Sequence, residues 1–313
     1  MGKNLKAFKI KSKGKVLDYR LGRDLDLNDI NKFFSKKFKV EKVWSNPRHV
    51  LGVLRKNNNK LFLKLAKSEG IGAMTQMEYK WNKIFNQQYP NLAMFKVPNN
   101  FESGTYKGLF FEIMEFFEGE PLCIQYDSPD KIINYIPEII KLSETIQKIK
   151  ISGLERNDYV KSKDYIEWFV NKTKLWFEGI PQDQAQEYKI DELMGIVKKK
   201  SSKLKKKTRH GDFTPWHIIK MKNGLGLTDG EHAISDGVEN YDICYFIQRI
   251  HSELGGINIA ENIFTELIRK GYGKNKLKTV LAARAIGGFL DESLKPIPNY
   301  DLKNKFKDWI LSI

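Results

Sequence analysis

The stretch HGDFTPWHIIKMKNGLGLTDGEHA, residues 210–233, decides how the rest of the chain is read. It gathers three of the five histidines (His210, His217, His232) and two aspartates (Asp212, Asp229) into one short segment. HIIKMK and LGLTD read as the two strands of a hairpin turning at Asn223-Gly224. Asp212 lies on the loop before the hairpin, His217 at its start and Asp229 at its end, so loop and hairpin together bring the three side chains to one place. Two chemistries fit such a cluster. Phosphoryl transfer needs a carboxylate that orients an acceptor hydroxyl and takes its proton, and oxygen-rich ligands that hold Mg²⁺ against nucleotide phosphates. Metal-dependent hydrolysis would instead use His210, Asp212, His217, Asp229 and His232 as ligands of one or two ions, although no helical two-histidine motif accompanies them.

Working outward, the character of the chain changes near Gly119. Before it lie short β-rich runs: KVEKVW (39–44), HVLGVLR (49–55), LFLKLA (61–66) and GLFFEIMEF (108–116), with SNPR and KNNN as hairpin connections. One helix interrupts them over about residues 71–88, where Met74, Met77, Trp81, Ile84 and Phe85 recur at helical spacing. After Gly119 the periodicity is mostly helical, near residues 130–149, 164–176, 191–206, 242–254, 259–270 and 275–290. The pattern predicts an α+β, two-lobed chain. An extension over residues 1–38, holding a strand pair and a helix from about Asn28 to Phe38, has no assigned role. A small antiparallel N-lobe with one helix spans 39–118, and a larger, mostly helical C-lobe spans 119–313.

HGDFTPWHI followed by LTDGEHA resembles the catalytic and metal motifs of the aminoglycoside phosphotransferase and choline kinase-like family, which has the protein-kinase-like fold and is written roughly HGDxxxxN, then a hydrophobic residue, Asp and often Trp-Glu. The resemblance implies a small-molecule kinase with Asp212 as catalytic base and Asp229 as metal ligand. It also implies that His210 supports the loop backbone and that Tyr241-Asp242 braces it; Asp242 suits a helix N-cap on local grounds as well. Two positions depart from the family pattern. His217 stands where the family has a metal-binding Asn, which weakens the second metal site, shifts preference from Mg²⁺ towards Mn²⁺ or Zn²⁺, or leaves the position bound through water, and Gly230 follows Asp229 in place of an aromatic.

A kinase-like site also needs a strand lysine on the phosphates and a helix carboxylate to hold it. Lys64 interrupts the apolar run LFLKLA and shares its face with Phe62 and Ala66. Glu78 lies in one stripe with Met74, Trp81 and Phe85, a setting that excludes a lone carboxylate and makes Lys64 its expected partner. FFEIMEFFEGEPL resembles the family's last N-lobe strand and hinge. Met114 would there border the nucleotide base, with the Glu115 carbonyl and the Phe117 N–H as its hydrogen-bond partners. No GxGxxG covers the phosphates; WSNPRHVLG stands in its place. Gly70-Ile71-Gly72 does not complete a dinucleotide fingerprint, because Thr75 occupies the third glycine position and no parallel βαβ pattern follows.

The expected cofactors are ATP or GTP with Mg²⁺ or Mn²⁺, and the expected partner is a small molecule bearing a hydroxyl. The departures at His217 and Gly230 leave a pseudokinase-like nucleotide-binding module as the alternative. The net charge of +16 implies affinity for anions. The run KKKSSKLKKKTR, Lys198–Arg209, lacks the aromatic residues on which bases would stack, so it reads as a solvated helix end and loop, not as a nucleic-acid surface. A lysine-rich C-lobe makes a polycationic antibiotic a less natural acceptor than a sugar, an amino alcohol or an anionic metabolite. Glu231, close to Asp229, is a candidate substrate contact. Two widely separated cysteines, no signal peptide and no apolar run of about 18 residues point to the cytoplasm.

Overall fold

A computed structural model of the protein describes residues 5–90, 95–157 and 159–313, so residues 1–4 of the expected extension lie outside the described residues. The chain begins with a hairpin, β1 (Lys9–Ser12) and β2 (Lys15–Asp18), followed by helix α1 (Leu27–Ser35). The Asp26 side chain caps α1 by accepting from the Asn28 and Asp29 N–H groups. Strands β3 (Lys39–Ser45), β4 (His49–Lys56) and β5 (Asn59–Ala66) form an antiparallel meander that leads into helix α2 (Glu69–Gln88). After β6 (Phe95–Lys96), strands β7 (Asn100–Tyr106) and β8 (Leu109–Glu115) complete a five-stranded sheet in the order β3-β4-β5-β8-β7. The sequence reading missed β7. Its residues NFESGTY are largely polar because it is an edge strand with one solvated face.

Period-two alternation sorts this sheet into two faces. Leu61, Leu63 and Leu65 of β5, with Phe111 and Ile113 of β8, pack against Ile30 and Phe34 of α1 and against Phe38. Phe62, Lys64 and Met114 point the other way, into a cleft. Residues 27–38 were expected in an extension, but they supply part of the N-lobe core. An apolar stripe on a short helix covers a sheet face that would otherwise be exposed.

The larger lobe opens with β9 (Gly119–Pro121) and a 3₁₀ turn over Pro129–Tyr135. Helices α3 (Ile136–Lys148), α4 (Tyr165–Gly179), α5 (Gln182–Glu187) and α6 (Asp191–Lys200) come next. Strand β10 (Lys206–Arg209) precedes the decisive stretch, β11 (Ile218–Met221) and β12 (Gly224–Leu227) lie within it, and β13 (Ile234–Val238) follows it. Helices α7 (Tyr241–Ser252), α8 (Ile257–Arg269), α9 (Lys274–Ser293) and α10 (Asp301–Ser312) close the chain. The helix expected over 191–206 stops at Lys200, because the chain then turns to place β10 antiparallel to β13. The basic run is therefore not wholly a solvated end. Lys198, Lys199, Lys203, Lys205 and Lys206 are exposed, whereas Thr208 and Arg209 are buried.

The expected hairpin is β11–β12, but its turn is Lys222-Asn223, one residue earlier than predicted. Met221 pairs with Gly224, and Gly224 alone carries the positive φ, +95°. β9 and β6 flank this hairpin in a four-stranded sheet, β6-β12-β11-β9. The segment leaving the N-lobe is thus pinned to the strands that carry His217 and Asp229 at their ends, with Pro121 opposite Ile219 and Gly119 opposite Met221.

Candidate active site

The loop after β10 is held by backbone donors on one buried carboxylate. Asp242, in the first turn of α7, accepts from His210 N–H and Gly211 N–H, each at 2.8 Å. Burial raises its pKa to about 6 against those two hydrogen bonds. Gly211 has φ +86°, and a Cβ there would stand 2.3 Å from the His232 carbonyl oxygen, so a side chain would break the turn. Phe213, buried against Phe246 with ring centroids 5.7 Å apart, anchors the loop's far end. The His210 ring lies edge-on to Trp81 at 5.6 Å in the core, and burial lowers its pKa to about 4.

Above this loop, three carboxylates converge on one ammonium. Lys64 Nζ lies 2.5 Å from Glu78 Oε2, 2.6 Å from Asp229 Oδ1 and 2.8 Å from Glu231 Oε1. Glu78 uses its other oxygen to accept from Asp229 N–H at 2.8 Å, which ties α2 to the end of the hairpin. Burial alone would lower the lysine's pKa, but the surrounding carboxylates hold it well above the ordinary value. Burial raises Glu78, outweighing the nearby lysine.

Glu231 is not a substrate contact in this arrangement. It is 1% exposed, accepts from Arg48 at 2.5 Å through Oε2, and lies within ion-pair distance of His49 at 3.2 Å and Lys64 at 2.8 Å through Oε1. Burial would push its pKa up, but Arg48 and Lys64 hold the carboxyl far below the usual range. The 3₁₀ turn Gly230–His232 aims it inwards, so it ties the β3–β4 turn to the site.

Asp229 adopts left-handed backbone, φ 66° and ψ 49°, which is strained for a residue with a Cβ. The next residue has a steric reason to be glycine. A Cβ on Gly230 would lie 2.3 Å from Trp81 Cδ1, so the indole of α2 fills the space an aromatic at 230 would need.

His217 stands between the two aspartates, with Nε2 at 3.2 Å from Asp229 Oδ2 and Nδ1 at 3.5 Å from Asp212 Oδ2. Burial would lower its pKa, but the two carboxylates reverse that, and the net shift is upward. The ligand atoms of Asp212, His217 and Asp229 all fall within 4.8 Å of one another, a mixed O,N set suited to a divalent cation. Glu78, Asp229 and Glu231 also cluster, but there Lys64 Nζ already takes the cation's place. The five-ligand hydrolase set does not assemble. His210 is in the core, and His232 packs edge-on to Tyr19 at 5.6 Å.

A cavity of about 540 Å³ runs between the lobes, lined among others by Phe62, Lys64, Met114, Glu115, Phe117, His217 and Asp229. At the hinge, Glu115 N–H donates to the Asn99 carbonyl at 2.8 Å, and the Phe117 N–H has no hydrogen-bond partner among the described residues. Asp212 faces a second, smaller pocket of about 160 Å³. Phe8 and Tyr19 from the N-terminal segment wall this pocket, together with Arg209, Arg249 and Arg284.

The sequence reading missed these arginines, and it also missed the roles of Arg48, His49 and Trp81. Arg284 had left a signal, a single charge inside the apolar run VLAARAIGGFL of α9. The others had none, since their partners are distant in sequence.

No protein-family profile matches the sequence, and no curated protein is similar to it. Solved structures are similar over nearly the whole chain. Aminoglycoside phosphotransferase APH(4)-Ia aligns with a TM-score of 0.69 at 11% identity, covering 92% of this chain and 99% of that one. A putative aminoglycoside phosphotransferase from Ralstonia eutropha JMP134 gives 0.57 at 12% identity, with the same coverage of 92% and 99%. The choline kinase LicA from Streptococcus pneumoniae gives 0.53 at 14% identity, covering 91% and 97%. The chain therefore has the two-lobed kinase-like fold that these proteins share.

Proposed function

We propose that the protein is a small-molecule kinase that moves the γ-phosphoryl group of ATP or GTP to an acceptor hydroxyl. One observation carries the reading: a continuous chain of polar contacts runs from the N-lobe ammonium of Lys64 through Asp229 and His217 to Asp212, along the boundary of the two pockets. The larger cavity has the size and apolar hinge wall for a nucleoside triphosphate, with Met114 beside the base and the Glu115 carbonyl and Phe117 N–H as its polar partners. The ternary complexes of APH(4)-Ia with ADP or AMP-PNP and hygromycin B support this use of the cleft.

Lys64, held by Glu78, would meet the phosphates. A divalent cation, Mg²⁺ or Mn²⁺, would be held by Asp229 and His217 and would supply positive charge to the phosphates as they react. Asp212 would orient the acceptor hydroxyl and receive its proton while the oxygen bonds phosphorus and the nucleoside diphosphate leaves. Asp242 and His210 keep the loop in place. Both cysteines are free and buried, and no helix among the described residues is long and apolar enough to cross a membrane, which supports a cytoplasmic setting where the nucleotide is plentiful.

The rival reading, a nucleotide-binding module without transfer, draws on the His217 imidazole wedged between Asp212 and Asp229. Asp212→Ala separates the two. The variant is expected to keep nucleotide affinity and lose acceptor-dependent turnover by about 10²–10⁴-fold. Unchanged turnover refutes the assigned mechanism.

A further inference from the structure

The pocket on the acceptor side of Asp212 has more buried positive charge than its own carboxylates can pair. Arg209, Arg249 and Arg284 line it, against Asp212 and Asp291, and Lys172 at its edge is already engaged, donating to the Ala7 carbonyl at 2.8 Å. Asp291 is already used by Arg249 at 2.8 Å, and Glu253 holds the same guanidinium at 3.0 Å. Burial lowers the pKa of His232, so the imidazole disfavours a further positive charge here.

That leaves Arg209 and Arg284, 7% and 4% exposed, with no carboxylate within ion-pair distance among the described residues. Both guanidinium Nε atoms are buried without a partner. Each is instead flattened against aromatic rings, Arg209 3.9 Å above Tyr241 and Arg284 3.7 Å above Tyr245, and Arg284 also donates to the Tyr241 hydroxyl at 2.9 Å. Stacking fixes the two planar groups, and the carboxylates of Asp242 and Asp291 act on them only from beyond ion-pair distance, so two buried cations are left without a counter-charge in direct contact, which is costly.

We propose that this pocket is an oxyanion site and that the acceptor carries, besides its hydroxyl, a carboxylate or phosphate group that seats on Arg209 and Arg284. The inference rests on the kinase reading for the word acceptor, but the anion site stands or falls independently. Planar guanidinium forks match both oxyanions through paired hydrogen bonds. At about 160 Å³ the pocket is well under the roughly 300–1,000 Å³ of sites that take drug-sized ligands, so a compact hydroxy acid or phosphorylated polyol fits and a bulky polycation does not. In the reaction the acceptor oxygen gains the phosphoryl group, its proton passes to Asp212, and the fixed anion holds that oxygen beside the base.

The test uses the full chain with a matched acceptor series: glycerol, choline, glycerate and glycerol 3-phosphate. ADP release is expected to be at least tenfold more efficient with one of the two anionic members than with glycerol or choline, and which one responds identifies the oxyanion. Arg284→Met is expected to raise the KM for that acceptor tenfold or more while leaving nucleotide affinity unchanged; Arg284→Lys should recover part of the loss.

A parallel thermal titration with inorganic phosphate, run with and without a saturating non-hydrolysable ATP analogue, reads the anion site without turnover. Phosphate stabilisation that survives the analogue and vanishes in Arg284→Met supports the site even if no acceptor is phosphorylated, in which case the kinase reading alone fails. Equal use of glycerol or choline overturns the proposal and spares the kinase reading. So does anion binding that is undiminished in an Arg284→Met protein that still folds and binds nucleotide.

Discussion

Replacing Lys64 with methionine tests the charge network through stability, independently of catalysis. The ammonium faces three carboxylates at 2.5, 2.6 and 2.8 Å, and each contact is worth about 6 kcal/mol gross at an effective dielectric of ~20. Most of that offsets the desolvation of the four charges and the mutual repulsion of the carboxylates. The net loss on removing one partner of such a buried cluster is about 3–5 kcal/mol. For a chain of this length that lowers the melting temperature by roughly 5–8 °C.

The pH dependence gives the sharper check. Without Lys64, Glu78, already raised by burial, is left beside Asp229 and Glu231, and its folded pKa rises further above the unfolded value. A carboxyl with a raised folded pKa binds a proton more readily when folded, so its penalty is absent at low pH and grows as pH rises through the folded value. Urea unfolding of Lys64→Met should therefore show a larger deficit at pH 8 than at pH 5. Adding Glu78→Gln should recover part of the loss, a non-additive result for residues in one network. A Lys64→Met protein as stable as the parent at pH 8, or a deficit that does not change with pH, refutes the reasoning.

Three further outcomes follow from single contacts. Asp242→Ala strands two buried N–H groups, those of His210 and Gly211, and should cost about 2–5 kcal/mol in chemical denaturation. Gly230→Ala drives a methyl group into Trp81 and should destabilise by about 1–3 kcal/mol, with the smaller ring of Trp81→Phe restoring part of it in the double variant by thermal melting. His217→Asn exchanges a nitrogen donor for an oxygen, so nucleotide titrations by calorimetry should show Mg²⁺ gaining on Mn²⁺ relative to the parent; an unchanged metal preference argues against a ligand role for His217.

Much of the site was legible because its signals are local. Asp212, His217 and Asp229 lie on one loop and hairpin, and short-range geometry alone brings them together. Lys64 and Glu78 were legible because each breaks an apolar pattern, and a charge on a buried face must have a partner. Glu231 was misread because its closeness to Asp229 in sequence suggested a shared solvent-facing role, whereas a 3₁₀ turn sends it inwards to Arg48, 183 residues away. The turn at Lys222-Asn223 was misplaced by one residue because its position depends on strand register, with Met221 opposite Gly224, which no dipeptide specifies.

The sequence by itself determined the alternation in four strands of the five-stranded sheet, the helical periods of the larger lobe and the spacing of the acidic residues. These follow from interactions within a few residues of one another. Only the tertiary structure decided that residues 27–38 complete the N-lobe core, that Trp81 accounts for Gly230, and that Arg209 and Arg284 face one small pocket beside Asp212. Those outcomes depend on which faces of distant elements meet, and the local chain carries no record of a partner that packing alone supplies.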